Sequence, residues 1–494
     1  MTGFQPAEVP HVDTTALRLG VHQAVEEAVT AKNPALKTEF AEALVALAKI
    51  VEALPGMGDF ADRERAILAI TNELGRQLIS GDLQRTANSF PDEVTVKEQR
   101  YRRHSRGAVT YHSLCGDVVV HRDVFRRVGV HNGDTVVPLD LSEGLVHNTT
   151  PALGYCVSQG IADMPTRLFE ETMRAMGRRP PSRSTVTRLA NGFGGCLKQD
   201  INIAEAVLQS YEPLPAGANA IAVGLDRTTV PMAEEVPDED KPRKRPLDDY
   251  VREPPQPVEV RYRMAYVGTV SVLDREGQAL RTWRFGATAE EGSDEIVRRM
   301  MAQVTHLRAR MPSARVAIVQ DGAPELWGVM WDGLRSTGVT KWINVIDRFH
   351  VTEHMNAALD LARIKDKNEI RQKYIGRLES SDRVVGAFAR WLYKTFRGQR
   401  AWRDMAPHFH YLESAAGDGW TRYATMRRLG LPTASGVTEG ACKSVVAMRF
   451  KRSGQRWQQD GLTAILTLRT LRLSDRLPGA WVLLRRRFTA IVQC

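Results

Sequence analysis

The sequence predicts a mixed α/β fold: a five-stranded mixed sheet with helices, interrupted by a helical insertion and preceded by helical and small β-rich regions. Three observations carry that expectation. Apolar runs of strand length reach an aspartate three times, at Ile221–Asp226, Arg315–Asp321 and Trp342–Asp347. Apolar residues at helical spacing separate the later runs, as in Ile296, Met300, Val304 and Leu307. Residues 351–430 are mainly helical in pattern, with Val384, Phe388, Trp391 and Leu392 on one stripe.

A chain of 494 residues is too long for one ordinary core and suggests roughly two to four domains. Its apolar fraction of 43% and charged fraction of 26% belong to a folded protein, which excludes wholesale disorder. The 68 Lys and Arg outnumber 58 Asp and Glu, giving a net charge of +10 and a pI near 9.4. That balance favours a polyanionic partner by attraction, without implying sequence reading. No run of about 18 uninterrupted apolar residues occurs, and the N-terminus lacks a basic segment followed by an apolar one. Neither a membrane span nor a signal peptide is expected, so the protein is expected in the cytoplasm. Cys115, Cys156, Cys196, Cys442 and Cys494 lie far apart with no Cys-x-x-Cys pair, and are expected to be reduced and mostly buried.

Taken in order, residues 1–95 read as a helical region. Phe40, Leu44, Leu47, Val51 and Leu54 recur three and four apart between Asn33-Pro34 and Pro55-Gly56, the stripe of a helix packed in a small bundle. Residues 96–150 form a basic β-rich segment. Arg100, Arg102, Arg103, Arg106, Arg122, Arg126 and Arg127 bracket two short β-type runs, 108–112 and 117–121, joined by a turn at Cys115-Gly116-Asp117. Such a ribbon can lie along a phosphate backbone, and a solvated hairpin with ordinary surface arginines reads equally well. Residues 151–215 suggest a helix-turn-helix-like region. Its first helix, Pro165–Met176, stops at Gly177, and a second, N-capped by Ser184, carries Arg183 and Arg188 at the end suited to a DNA groove.

The first part of the core is placed at residues 216–350. Asp226 is expected at or near the functional edge of its strand, followed by an exposed hairpin loop at Glu234–Pro257 and strands at Val258–Leu273 and Leu280–Phe285. Helices at Ser293–Met311 and Pro324–Leu334 alternate with the runs ending in Asp321 and Asp347. The order βββαβαβ with acids at these ends is that of an RNase H-like fold. A single strand-end Asp is ordinarily a turn residue or a helix cap; three in this order point to a site. Mg²⁺ prefers oxygen ligands and keeps several waters, so converging carboxylates suit it. Two such ions about 4 Å apart can drive an in-line phosphoryl displacement.

The helical insertion, 351–430, carries Trp402, Phe409, Tyr411, Trp420 and Tyr423, for core packing or for stacking on a DNA base. The core resumes at 431–475. There Thr438-Glu439-Gly440-Ala441-Cys442-Lys443 and the run Met448–Trp457 set one carboxylate at a helix start among Lys443, Arg449, Lys451, Arg452 and Arg456. Residues 476–494 read as a basic tail.

Four motifs resemble the DDE transposases of bacterial insertion sequences, nearest to the ISKra-type family: Gly224-Leu225-Asp226, Val319-Gln320-Asp321-Gly322-Ala323-x-x-x-Trp327, Ile346-Asp347-Arg348-Phe349-His350-Val351-x-Glu353, and Thr438-Glu439-Gly440-x-x-Lys443 with Arg449-x-Lys451-x-x-Gly454-x-Arg456-Trp457. The resemblance covers most of the chain beyond about residue 95. It implies a catalytic set of Asp226, Asp321 and Glu439 binding two Mg²⁺ or Mn²⁺ ions. Asp347-x-x-His350 is similar to an element of Mutator-like transposases, with His350 contacting a scissile phosphate or orienting a carboxylate; the alternative is that Asp347 caps a helix and His350 bonds to it. Lys443, Arg449, Lys451, Arg452 and Arg456 become a candidate phosphate track, and Trp457 a candidate base-stacking residue.

The implied function is a transposase that binds terminal inverted repeats, cleaves phosphodiester bonds by metal-assisted attack of water and joins the freed 3′-hydroxyl to target DNA. Its partner is double-stranded DNA, both transposon ends and target, bound by a homodimer or higher oligomer. A nuclease that does not join strands, or a domesticated transposase acting as a DNA-binding regulator, are the alternatives.

Overall fold

Asp59 opens the helix Phe60–Ser89 by accepting the Asp62 amide at 2.9 Å, one half of a capping box that Asp62 completes. The computed structural model describes residues 59–236, 258–321, 323–364 and 366–493. The expected helix through Phe40 and Leu54 and most of the expected 234–257 loop lie outside them. The chain divides into two units, one reaching to Cys196 and resuming at Leu477, the other Leu197–Arg476.

In the first unit, strands β1 (Glu93–Val96), β2 (Gln99–Ser113), β3 (Gly116–Arg127) and β4 (Thr135–Val136) form an antiparallel sheet in sequence order, and Val492–Gln493 pairs on the outer edge of β1. Alternation sets the buried face: Tyr111, Val118, Val120 and Phe125 pack with Leu83 and Ala87 of the preceding helix and with Phe90 just beyond its end. Among the described residues, the end of the Phe60–Ser89 helix thus shares a core with the strands that follow it, and the hairpin is far longer than its two expected runs. Its arginines are largely balanced locally. Arg100 and Arg102 pair with Glu93, and Arg103 and Arg106 approach buried Asp123 at 3.6 Å.

Helices Thr166–Ala175 and Arg183–Gln199 flank Gly177, whose φ of +70° ends the first. The N-cap of the second is Ser182, whose hydroxyl accepts the Thr185 amide at 3.2 Å, and Ser184 is already helical. The expected basic tail is folded over its described residues: Leu477–Phe488 is a helix that buries Leu477, Ala480, Trp481 and Leu484, with Trp481 edge-on to Phe193 at 5.0 Å.

The second unit is built on a five-stranded mixed sheet. Strands β5 (Ala220–Glu235), β6 (Val258–Leu273) and β7 (Ala279–Ala287) are antiparallel, while β8 (Arg315–Gln320) and β9 (Ile343–Ile346) run parallel to β5, in the order β7-β6-β5-β8-β9. Every expected strand is present. Ile221, Val223, Leu225, Val316 and Ile318 face the helices Gly292–Arg310 and Pro324–Ser336, while Ala220, Ala222, Ala317 and Val319 face the inserted helical segment.

β8 pairs with β5 only as far as Val223, and β7 pairs with β6 only from Tyr266 onward. Beyond those points β5 and β6 continue together as a two-stranded ribbon to Glu235↔Val258. Asp226 thus lies within a long strand, not at its end, but past the limit of its parallel neighbour.

The insertion comprises the helices Arg348–Leu361, Lys367–Tyr374, Val384–Phe396, Trp402–Gly417 and Tyr423–Arg428. Of the two roles open to its aromatics, packing is the one seen: Phe409 and Tyr423 are buried, and Tyr411, Trp402 and Trp420 lie against the same core. No helix among the described residues is long and apolar enough to cross a membrane.

Candidate active site

Ligand sites in open α/β sheets form beyond the carboxyl ends of parallel strands, and here that edge carries Asp321 after β8 and Asp347 after β9, with Asp226 alongside on β5. One small cleft is lined by Asp226, Asp321, His350, Ser435, Thr438 and Glu439. Its space of about 30 Å³ is of the size of waters or small ions. The three acids expected from sequence come from separate segments and meet there, together with His350.

The meeting depends on small residues. Glu439 belongs to the helix Gly436–Ala441, which sits against the sheet through Thr438, whose hydroxyl shares a hydrogen bond with Thr269 at 2.7 Å. A Cβ on Gly224 would overlap that hydroxyl and come within 2.9 Å of the Val319 carbonyl. Glycine at 224 is therefore what lets the Glu439 helix approach Asp226.

Each acid is held differently. Asp226 accepts the Arg227 amide at 2.7 Å on Oδ1 and the Cys442 thiol at 3.2 Å on Oδ2. Burial, aided by the neighbouring Asp226 carboxylate, raises the Cys442 pKa and keeps it a thiol able to donate. Asp321 accepts the Ala323 amide at 3.2 Å. Glu439 pairs with Lys443 one helical turn on at 2.7 Å; both side chains are more than half exposed, so the pair contributes less than about 1 kcal/mol and yields readily.

A π-helical turn, Cys442–Ala447, follows directly, and the buried Arg469 guanidinium donates to the Ser444 carbonyl at 2.8 Å and the Val445 carbonyl at 3.0 Å. π-turns recur at functional sites, and this one sets Cys442 under Asp226.

His350 is half exposed and bonds to Glu353 at 3.1 Å. Asp347 is buried and caps the His350 helix through the Phe349 amide at 2.5 Å; it does not line the cleft.

The proposed phosphate track is divided by the fold. Lys451 and Arg452 are exposed, with Lys451 bonded to the Thr228 hydroxyl at 2.5 Å, and Arg456 is also exposed. Arg449 is instead 2% exposed, its guanidinium 5.0 Å from the Trp457 ring and 5.7 Å from that of Phe450, so it packs and does not present charge to a phosphate. Trp457 is fixed too: its backbone bonds to Pro231 and Ala233 of the ribbon and its indole donates to the Phe450 carbonyl at 3.2 Å. Arg183 and Arg188 belong to the first unit; Arg183 pairs with Glu170, and Arg188 is exposed.

Sequence reasoning missed Cys442, Thr438 and Ser435 as site residues. For Cys442 a signal existed, since it lies three residues after Glu439 and so on the same helix face.

The donor set is one of hard oxygens, which suits Mg²⁺ or Mn²⁺. Among the described residues no three His, Cys, Asp or Glu side chains form a ready-made chelate. An open arrangement of this kind fits an ion that takes one or two carboxylates and completes its shell with waters and substrate phosphate.

No family model matches the chain, and no curated protein matches it. Among solved structures it is similar to the Drosophila P element transposase strand transfer complex, at 11% identity and a TM-score of 0.23 over 69% of this chain and 83% of that one. It is also similar to the Mos1 transposase paired-end complex with the left transposon end, at 12% identity and 0.15 over 56% and 78%.

Proposed function

We propose that the second unit is an RNase H-like core of a DDE transposase of the bacterial insertion-sequence kind, with its motifs nearest to the ISKra type. It would cleave DNA strands at transposon ends and join them to a target, as a dimer or larger assembly on DNA. The observation that carries this reading is the convergence of Asp226, Asp321 and Glu439 from separate segments on one cleft.

Asp226, Asp321 and Glu439 would hold two Mg²⁺ or Mn²⁺ ions. Bound there, the ions supply activation of the attacking water or 3′-hydroxyl and charge relief at the leaving oxygen. The protein's own part is orientation. Cys442 and the Arg227 amide fix the Asp226 carboxylate, and the Gly224–Thr438 contact sets the depth of the Glu439 helix. Lys443 neutralises Glu439 until a ligand replaces it, and His350, which also lines the cleft, would contact a scissile phosphate. Exposed Lys451, Arg452 and Arg456 supply sequence-independent attraction for DNA.

The test is incubation of the chain in Mg²⁺ with labelled duplexes carrying the inverted repeats that flank its coding region, and with the same ends pre-cut. Nicking plus joined product supports the reading. Nicking without joining indicates a nuclease, and end binding without either indicates a regulator.

A further inference from the structure

Asp347 is 1% exposed and lies outside the cleft, yet its carboxylate touches both segments that deliver groups to it. Oδ1 accepts the Phe349 amide at 2.5 Å in the first turn of the His350 helix. Oδ2 accepts the Ser435 amide at 2.6 Å and also the Ser435 hydroxyl. The Ser435 carbonyl in turn accepts the amides of Thr438 at 2.8 Å and Glu439 at 3.0 Å, so it opens the Glu439 helix. On the other side, the Asp347 amide donates to the Gln320 carbonyl at 2.8 Å, one residue before Asp321.

Capping accounts for the Phe349 bond alone. Ser435 lies far along the chain, beyond the whole helical insertion, and its two bonds do nothing for the cap. A buried carboxylate that spends one oxygen on each of two distant segments fixes their separation, because charge-assisted hydrogen bonds are short and directional.

We propose that Asp347 is a positioning residue that sets the spacing of Asp321, His350 and Glu439 by clamping Ser435 to the end of β9. The proposal rests on the metal-dependent reading of the cleft. Asp347 touches no reacting atom. It acts through Ser435, and so ties together the two ends of the insertion that lies between His350 and Glu439.

Asp347→Asn separates the two roles. The amide oxygen still caps Phe349, while its NH₂ meets the Ser435 amide donor to donor and leaves the Ser435 hydroxyl able only to accept from it. Mn²⁺ binding, followed by the free-ion paramagnetic resonance signal, is measured for the full chain and for Asp347→Asn, each with Glu439 and with Glu439→Gln. The expected result is roughly tenfold weaker Mn²⁺ binding for Asp347→Asn with Glu439 in place, the loss typical of an outer-shell partner, and less than about twofold further loss beside Glu439→Gln. Equal weakening in both backgrounds, or none in either, overturns the proposal, since a merely structural carboxylate would not depend on Glu439. If Asp347→Asn fails to fold, Ser435→Ala is taken through the same cycle. If the unaltered chain binds no Mn²⁺, the reading of the cleft falls and the clamp falls with it; if it binds and only the cycle is additive, the reading stands and the clamp alone is refuted.

Discussion

The Cys442 thiol donates to Asp226 Oδ2 across 3.2 Å, so a buried sulfur supports one of the three converging carboxylates. Removing the donor loosens Asp226 without emptying the cleft. Cys442→Ala is expected to slow strand cleavage about tenfold, as outer-shell losses do. Cys442→Ser, which keeps a donor, is expected to retain most of the rate. Single-turnover nicking rates for the two variants check this, and equal loss in both contradicts it.

Gly224 is the contact point between the sheet and the Glu439 helix. Gly224→Ala is expected to destabilise the fold by about 1–3 kcal/mol through overpacking and to abolish cleavage by lifting Glu439 away from Asp226. At Gly440 an added Cβ meets nothing within 4 Å, so Gly440→Ala is expected to leave thermal stability unchanged or raise it, by up to about 1 kcal/mol. Urea unfolding of the two variants separates these outcomes.

Lys443 is 70% exposed and bonds to Glu439 across one helical turn. Lys443→Ala is expected to leave the melting temperature unchanged and to lower the slope of DNA affinity against log salt by about one. Fluorescence anisotropy across a salt series measures that slope.

His354 stacks on Tyr411 at 3.8 Å and faces His408 at 3.0 Å. Burial first, then His408 and His350, hold its pKa below the ordinary 6.5, while the nearby Glu353 opposes the shift. The folded state therefore binds fewer protons at this site than the unfolded chain. Its contribution is fully present above about pH 6.5 and is lost as pH falls below that value. Melting temperature is expected to drop between pH 7.5 and 5.5, and to drop less in His354→Gln.

The strands were legible because the buried parallel strands read as short Val- and Ile-rich runs, and Asp321 and Asp347 because each run stops at its acid. Asp226 was legible as lying at or near the functional edge, but the ribbon beyond it alternates like any strand, so its length was not, and only the extents of β8 and β7 show where the five-stranded sheet ends. Arg449 and Trp457 read as a DNA track because a cation beside an aromatic has the same sequence whether it faces solvent or a neighbouring ring. The C-terminal helix was hidden by Arg485, Arg486 and Arg487 in its last turn, although Leu477, Ala480, Trp481 and Leu484 already marked a buried stripe. Asp347 bonding to Ser435 across the insertion is a tertiary fact that no local pattern carries.

The most direct test of the central claim, that Asp226, Asp321 and Glu439 hold one divalent-metal centre, is iron-directed cleavage of the protein itself. Fe²⁺ replacing Mg²⁺, with ascorbate and peroxide, cuts the backbone beside its ligands. The expected result is cuts near residues 226, 321 and 439 in the same preparation, suppressed by excess Mg²⁺ and lost together in Asp226→Asn. Cuts confined to one of these segments, or unaffected by Mg²⁺, would contradict it.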